Sequence, residues 1–317
     1  MNDKGEKLKI GISACLVGDN VRHNGGNKKF RLLDTMKDSF EFIKICPEVA
    51  VGMGVPRPAV RLLKKENKIH LVQSKDITVD FTDKMSNFAS EFCNNLPDDL
   101  CGFIVKKGSP TCAKYDSKIY SEKGIPSDKS PGMFTKKLLL TKPLLPVEDE
   151  GRLNDHGLRD LFLKKIYARH RWLVICKDGY KPEKIINFHR DYKYIITAHS
   201  PSSVHVLGGL LSNLKGYNIK DVFKEYITIF LECLSFAAKR KHTTVALQHI
   251  SGYFKEHLTS DEINELYNSI MSYSKGSESL ISSITLMKHY IRKYNIKYLE
   301  TQYFFHPYPP ELMHDFI

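Results

Sequence analysis

The chain has 317 residues, 42% hydrophobic and 26% charged, enough for about two domains and a sizeable core. Its apolar runs fall well short of the ~20 residues of a membrane-spanning helix, so no membrane partner is expected; the polar start Met1–Lys7 does not read as a signal peptide, and the cytoplasm is the expected compartment. A net charge of +12 favours a polyanionic partner, and residues 1–150 (25 basic, 20 acidic) and 151–317 (23 basic, 16 acidic) share the excess.

Strand and helix signals alternate through the first 145 or so residues. Lys9–Ser13 is an apolar run ending at Ala14-Cys15, and Phe30–Ser39 reads as a short helix. Phe42–Ile45 leads into Cys46, followed by the Gly/Pro-rich loop Val51–Pro58. His70–Gln73 is a further short strand, and Thr78 is placed to cap an amphipathic helix running to about Leu96. Gly102–Val105 then leads into Lys106-Lys107-Gly108-Ser109-Pro110-Thr111-Cys112. Such alternation predicts a Rossmann-like α/β domain over 1–150, a mostly parallel sheet with helices on its faces.

The stretch Leu145–Arg152, a proline followed by an acidic run, is the expected boundary. Beyond it, Leu158–Ile175, Asp191–His199, Ser203–Leu214, Ile219–Arg240, Thr243–His257, Ser260–Ser274 and Ser279–Tyr294 all read as helices. Residues 151–317 are therefore expected to form an all-α domain.

Three of the seven cysteines, Cys15, Cys46 and Cys112, sit just past an apolar run. In open α/β sheets ligands bind outside the carboxyl ends of the strands, so this placement would deliver three thiols to one crevice. Three protein ligands leave a metal centre with an open position, the mark of a catalytic rather than a structural site; soft thiolates select zinc or an iron–sulfur cluster. Spacing alone matches no C-x-x-C pattern. Cys93, Cys101, Cys176 and Cys233 lie in apolar stretches and read as core residues, and an odd cysteine count argues against a disulfide framework.

Ile12-Ser-Ala-Cys-Leu-Val-Gly18, Val21-Arg-His-Asn-Gly-Gly26, Cys46-Pro-Glu-Val49, Gly54-Val-Pro-Arg57 and Lys107-Gly-Ser-Pro-Thr-Cys112 resemble the signature blocks of TudS-type thiouracil desulfidases. Leu153-Asn-Asp155, Ala198-His-Ser-Pro201, Leu247–Phe254, Thr285–Tyr290 and Gln302–Pro310 resemble a YbgA-type helical domain. The order of the two resembles the tRNA 4-thiouridine desulfidases of the RudS-like family. That resemblance implies a [4Fe-4S] cluster on Cys15, Cys46 and Cys112 with one iron not ligated by protein, thiolated tRNA as partner, and non-redox release of sulfide. On that chemistry Glu48 is the expected general acid/base and Ser109 the group that orients water or relays a proton. Two departures from the family pattern stand out: His23-Asn24-Gly25 where Tyr-Asp-Gly is usual, and Thr111-Cys112-Ala113 where Ser-Cys-Gly is usual. The first leaves Asn24 as a hydrogen-bonding group, and the second implies that the turn at Ala113 needs no positive φ.

Arg22 and Arg57 lie in loops expected to line the crevice, where they could pair with a substrate phosphate or form structural salt bridges. In the helical domain Lys239, Arg240 and Lys241 form the densest basic run, with His249, Tyr253 and Lys255 following, as candidates for RNA contact. Two alternatives remain open: a desulfidase of free thiouracil or thiouridine nucleotides, and a zinc-stabilised RNA-binding protein without catalysis, with His23 as its nearest fourth ligand.

Overall fold

A computed structural model of the chain describes residues 7–212 and 214–313; the polar start at residues 1–6 lies outside the described residues. Contacts divide the chain into two compact units, one covering the chain to His170 together with Leu312 and Met313, the other spanning Arg171–Glu311.

The first unit runs β1 (Leu8–Ser13), α1 (Leu33–Met36), β2 (Phe40–Ile45), α2 (Pro47–Ala50), β3 (Val60–Lys65), β4 (Lys68–Gln73), α3 (Thr82–Asn94), β5 (Gly102–Val105), β6 (Ser117–Tyr120), β7 (Pro126–Ser130), α4 (Met133–Thr141), β8 (Val147–Asp149) and the start of α5 (His156–Lys177). Four strands form a sheet in the order β2-β1-β5-β8. Every pairing in it is parallel, with Ile10 opposite Gly102 and Phe42, and Phe103 opposite Val147. Central β5 is buried on both faces, which is why it reads as an unbroken apolar run rather than an alternating one.

Two glycines set the packing of this sheet. A Cβ at Gly11 would stand 2.3 Å from the ring of Phe103, its neighbour across β1 and β5. One at Gly102 would meet Ile166 of α5 at 2.6 Å. Successive β5 residues point to opposite faces: Phe103 reaches Phe134 of α4, ring centroids 6.0 Å apart, while Gly102 lets α5 pack close on the other side. The sheet is thus covered by helices on both faces, as expected for the α/β class.

The sequence did not disclose the second sheet, β4-β3-β6-β7, of which only β4 was expected. Its strands are short and half-exposed, so β3 and β7 carry lysines where an alternating pattern would need apolar residues. The turn between β3 and β4 places Glu66 and Asn67 at φ 47° and 61°, the two-residue geometry that matches strand twist. Thr78 does not cap a helix. Its N–H and hydroxyl both donate to Asp76 Oδ1, at 3.0 and 2.6 Å, and α3 begins four residues later. The helix expected over Phe30–Ser39 is the single turn α1.

The second unit is helical: α6 (Pro182–His199), α7 (Pro201–Ser212), α8 (Ile219–Cys233), α9 (Arg240–Ser251), α10 (Ser260–Lys275), α11 (Leu280–Tyr294) and the short α12 (Lys297–Glu300). An aromatic cluster fills it, with Trp172 stacked on Tyr226 at 5.5 Å and Phe188 on Tyr192 at 4.4 Å. Thr259 and Glu262 form a capping box at the start of α10, and Gly276 at φ 85° ends that helix. The stretch Ile219–Arg240, expected as one helix, stops at Cys233. The Phe236 carbonyl then accepts from buried His199 Nδ1 at 2.6 Å, outside any helical ladder. Among the described residues no helix is long and apolar enough to cross a membrane.

Candidate functional site

The C-terminal ends of β1, β2 and β5 lead into one cavity of ≈ 230 Å³. Its wall includes Cys15, Cys46 and Cys112, together with Arg22, His23, Glu48, Arg57, Lys106 and Ser109. Parallel strands carry their residues out at the same edge of the sheet, which is how thiols 31 and 66 residues apart in sequence reach one space.

Each thiol is fixed by its own turn. Cys15 lies in a one-turn 3-10 helix, Ala14–Val17, that closes at Gly18 with φ 102°. Its carbonyl accepts from Lys28 N at 2.9 Å. Cys46 precedes Pro47 at the start of α2, with the Val49 and Glu48 backbone N–H groups directed at its sulfur. In the Cys112 turn the Ser109 hydroxyl accepts from the N–H groups of Thr111 and Cys112, at 3.2 and 3.1 Å. The start of α4 locks that turn from outside. Gly132 N donates to Ala113 O at 2.8 Å and the Thr135 hydroxyl to Cys112 O at 2.7 Å. A Cβ at Gly132 would lie 2.4 Å from the Thr111 carbonyl carbon, so only glycine lets α4 approach. Ala113 is not among the positive-φ residues, as its identity implied.

Burial pushes the Cys15 thiol up to about 11, reinforced by Cys46 and opposed by Lys106 and Arg22. Burial pushes Cys112 up to about 12, opposed by the Thr111 hydroxyl. Cys46 is raised for the same reason, with the Val49 N–H opposing. Left to themselves these are protonated thiols, and a soft metal would bind them by displacing protons.

Glu48 and Ser109 are joined through a residue the sequence reading passed over. Thr111, fully buried, donates its hydroxyl to Glu48 Oε1 at 2.8 Å and lies 2.9 Å from the Ser109 hydroxyl. Glu48 Oε2 accepts from Arg57 Nε and Nη2 at 2.9 and 2.6 Å. The result is a continuous hydrogen-bonded line, Ser109–Thr111–Glu48–Arg57, whose Ser109, Glu48 and Arg57 all line the cavity. The signal for Thr111 in the sequence was only its position between Pro110 and Cys112.

Of the two roles open to Arg57, the structure shows the salt bridge. Besides Glu48 it donates through Nη1 to the Val21 and Gly54 carbonyls, both at 2.9 Å, and its side chain is nearly buried. A guanidinium committed to a carboxylate and two carbonyls is a clamp on Glu48 rather than a phosphate receptor. Arg22 does line the cavity, with Lys106 and Lys107 on the wall after β5. Lys106 is paired with Glu150, whose second oxygen accepts from Lys107 N at 2.7 Å. Asn24 is absent from the cavity wall; it accepts from Gly26 N at 3.2 Å and shapes its own exposed turn. In the helical unit Lys239 and Lys241 are exposed at the start of α9. Arg240 is tethered between them, donating to the Tyr273 carbonyl at 2.7 Å. Tyr253 is partly exposed and stacks on Tyr298 at 4.9 Å.

Among the described residues no three His, Cys, Asp or Glu side chains converge closely enough to hold one metal ion. Thiolates on a single zinc ion, with Zn–S near ~2.3 Å, must crowd together. A polynuclear group spreads its ligands over several irons, one thiolate to each. Three thiols on a common cavity fit such a group with one thiolate to each of three irons, and His23 lines the same cavity.

Residues 10–150 match the family described as 2-thiouracil desulfurase, and residues 193–309 match a family described as a protein of unknown function, DUF1722. The uncharacterized protein YbgA of Escherichia coli K12 is 28% identical over 158 residues, which is 50% of this chain and 94% of YbgA. Among solved structures, the [4Fe-4S]-dependent thiouracil desulfidase TudS is 28% identical, with 48% of this chain and 97% of that chain covered at a TM-score of 0.37.

Proposed function

We propose that this chain, a 2-thiouracil desulfurase domain over residues 10–150 followed by a DUF1722 domain over residues 193–309, removes sulfur from 4-thiouridine in tRNA. The observation that carries the reading is the meeting of Cys15, Cys46 and Cys112 with the Ser109–Thr111–Glu48 line on one cavity. Family membership supports sulfur removal from a thiolated uracil ring; the polynucleotide substrate is the step beyond it. The net charge of +12 and the second, helical unit favour that step, since a small free base needs neither.

Cys15, Cys46 and Cys112 would hold the three protein-ligated irons of a [4Fe-4S] cluster. When bound, the cluster supplies a soft Lewis-acid iron for the thiocarbonyl sulfur, which polarises the ring carbon. The remaining work falls to the chain. Replacing C=S by C=O consumes one water, whose oxygen becomes the carbonyl and whose two protons leave with the sulfur as hydrogen sulfide. No electrons are gained or lost. Ser109, on the cavity, orients the water and takes up its proton as its own passes to Thr111 and then to Glu48 Oε1, while Arg57 holds the carboxylate in line. Return along the same line delivers a proton to the departing sulfur.

The test is sulfide release by anaerobically reconstituted full-length protein, comparing thiolated tRNA with free 4-thiouracil. Faster release from tRNA, judged by kcat/KM, is the expected result. Release from the free base alone removes the tRNA reading and leaves a base-level desulfidase. No release from either, with a full complement of iron and acid-labile sulfide, removes the desulfidase reading.

A further inference from the structure

Beside the thiol cavity lies a second depression of ≈ 360 Å³, lined by Lys107, Tyr115, Asp116, Asp149 and Arg152. Lys107 lines both spaces, so they share a wall where β5 and β8 end side by side. Tyr115 is 49% exposed, yet its ring is held. Lys114 Nζ stands 4.5 Å and Arg152 Cζ 5.4 Å from its centroid. Both cations are anchored to the buried Glu148 carboxylate, at 3.4 and 3.0 Å. Gly151 makes room for the stem of Lys107, which a Cβ there would approach to 2.6 Å.

The acidic residues of this depression are also partly committed. Asp116 accepts the Gly108 N–H through Oδ1 at 2.9 Å, and Asp149 accepts the Arg152 N–H through Oδ1 at 2.9 Å. A carboxylate has acceptor capacity beyond one hydrogen bond, so each retains an oxygen for a hydroxyl. With lysine, arginine and two aspartates together, the depression is not a trap for polyanions in general. It offers a flat ring for stacking, a cation for one phosphate, and hydroxyl acceptors for a sugar. Those are the three parts of a ribonucleotide.

We propose that this depression is a subsite for the nucleotide flanking the reacting base in a single-stranded RNA substrate. The flanking base stacks on Tyr115, its ribose 2′-hydroxyl donates to Asp116, and Lys107 takes the phosphate that links the two nucleotides across the shared wall. The proposal rests on the reading of the thiol cavity as the site that receives a thiolated uracil ring. It goes beyond that reading by placing part of the recognition of RNA within the first unit, next to the chemistry.

A dinucleotide is short enough to occupy only the two adjoining spaces. Binding of uridylyl-uridine to the full-length reconstituted protein, followed by titration calorimetry, therefore reads the subsite without requiring turnover. Y115A should weaken binding roughly 5- to 150-fold, the worth of one base–aromatic stack, and Y115F should retain it. The wild-type protein should bind the ribo-dinucleotide more tightly than its deoxyribo counterpart. In turnover, the preference for the 4-thiouridine dinucleotide over 4-thiouracil should fall in Y115A by about the same factor as the affinity. Equal binding by Y115A and wild type, or equal binding of ribo- and deoxyribo-dinucleotides, overturns the proposal. Absence of sulfide release from every thiolated substrate would count against the desulfidase reading alone, because dinucleotide binding decides the subsite separately.

Discussion

The edge of the parallel sheet and the surface of α9 both gather residues singled out as functional, and they do so in opposite ways. At the sheet edge, residues from four distant stretches of sequence meet on a cavity of ≈ 230 Å³, with Cys15, Arg57 and Cys112 buried and Cys46, Glu48 and Ser109 partly so. On α9, three consecutive basic residues stay spread over one exposed turn, and Arg240 is tied back to the Tyr273 carbonyl. Distant residues drawn into a buried site bear the desolvation cost of their thiols and carboxylate, which only a shared task repays. A run of neighbours in water bears no such cost. The expected consequences of substitution differ accordingly.

The largest effect is expected at the thiols. Replacing Cys15, Cys46 or Cys112 singly with serine substitutes a hard oxygen for a soft sulfur and should abolish both the visible absorbance of the reconstituted protein and sulfide release. The same change at buried Cys93, which lies in the core against α4, should leave iron content at the wild-type level. Full iron content in all three site variants would break the contrast at its strong end.

Next comes the hydrogen-bonded line. E48Q keeps the shape but removes the terminal proton acceptor, and should lower kcat by roughly 10²- to 10⁴-fold with iron content unchanged. T111V removes the middle hydroxyl while keeping its volume and should fall between wild type and E48Q; T111S restores the hydroxyl and should recover most of the rate. If T111V matches wild type, protons take another route and Thr111 serves only the turn.

This line also marks how far the sequence could be read. Cys15, Cys46 and Cys112 were legible because an apolar run ending at a Gly- or Pro-rich turn locates a strand end, and parallel strands share their edge. Thr111 was not, because a hydroxyl between a proline and a cysteine has the same local signature whether it faces solvent or a carboxylate. Arg57 stayed open between a substrate phosphate and a salt bridge because arginine in a glycine-rich loop beside a cavity suits either; its partner Glu48 comes from α2, and pairing across two turns leaves no periodic trace. The second sheet was hidden because β3 buries two adjacent leucines, Leu62 and Leu63, rather than alternate residues, and β7 is exposed along nearly its whole length. Tyr115 stood in no motif at all. Its interest arises only once Lys114, Arg152 and Lys107 are placed around it.

A smaller effect, on stability as well as rate, is expected at the clamp. Arg57 and Glu48 form a nearly buried ion pair, with side-chain exposures of 3% and 13%. Truncating one member of such a pair strands the other, which costs on the order of 3–5 kcal/mol. R57M should lower the denaturant midpoint accordingly and reduce kcat through misplaced Glu48. The double variant R57M/E48Q should recover part of that stability and none of the rate. An unchanged midpoint in R57M would mean that water replaces the guanidinium, and that the site is wetter than its burial indicates.

The smallest effect belongs to α9. Lys239 and Lys241 are exposed and free of ion pairs among the described contacts, whereas Arg240 is committed to Tyr273. If the lysines meet RNA phosphates, each released counterion contributes about one unit to the slope of log affinity against log salt. K239A/K241A should therefore reduce that slope by about two and weaken tRNA binding uniformly across sequences, with release of sulfide from 4-thiouracil as in wild type. R240A should instead loosen the junction between α9 and α10, lowering stability with less effect on the slope. A slope unchanged by K239A/K241A would reduce the basic run to a solvated helix start. Phosphate contacts would then have to come from other cations of the chain, and the sheet edge, with Arg22 and Lys107 on its cavity wall, becomes the first place to measure them.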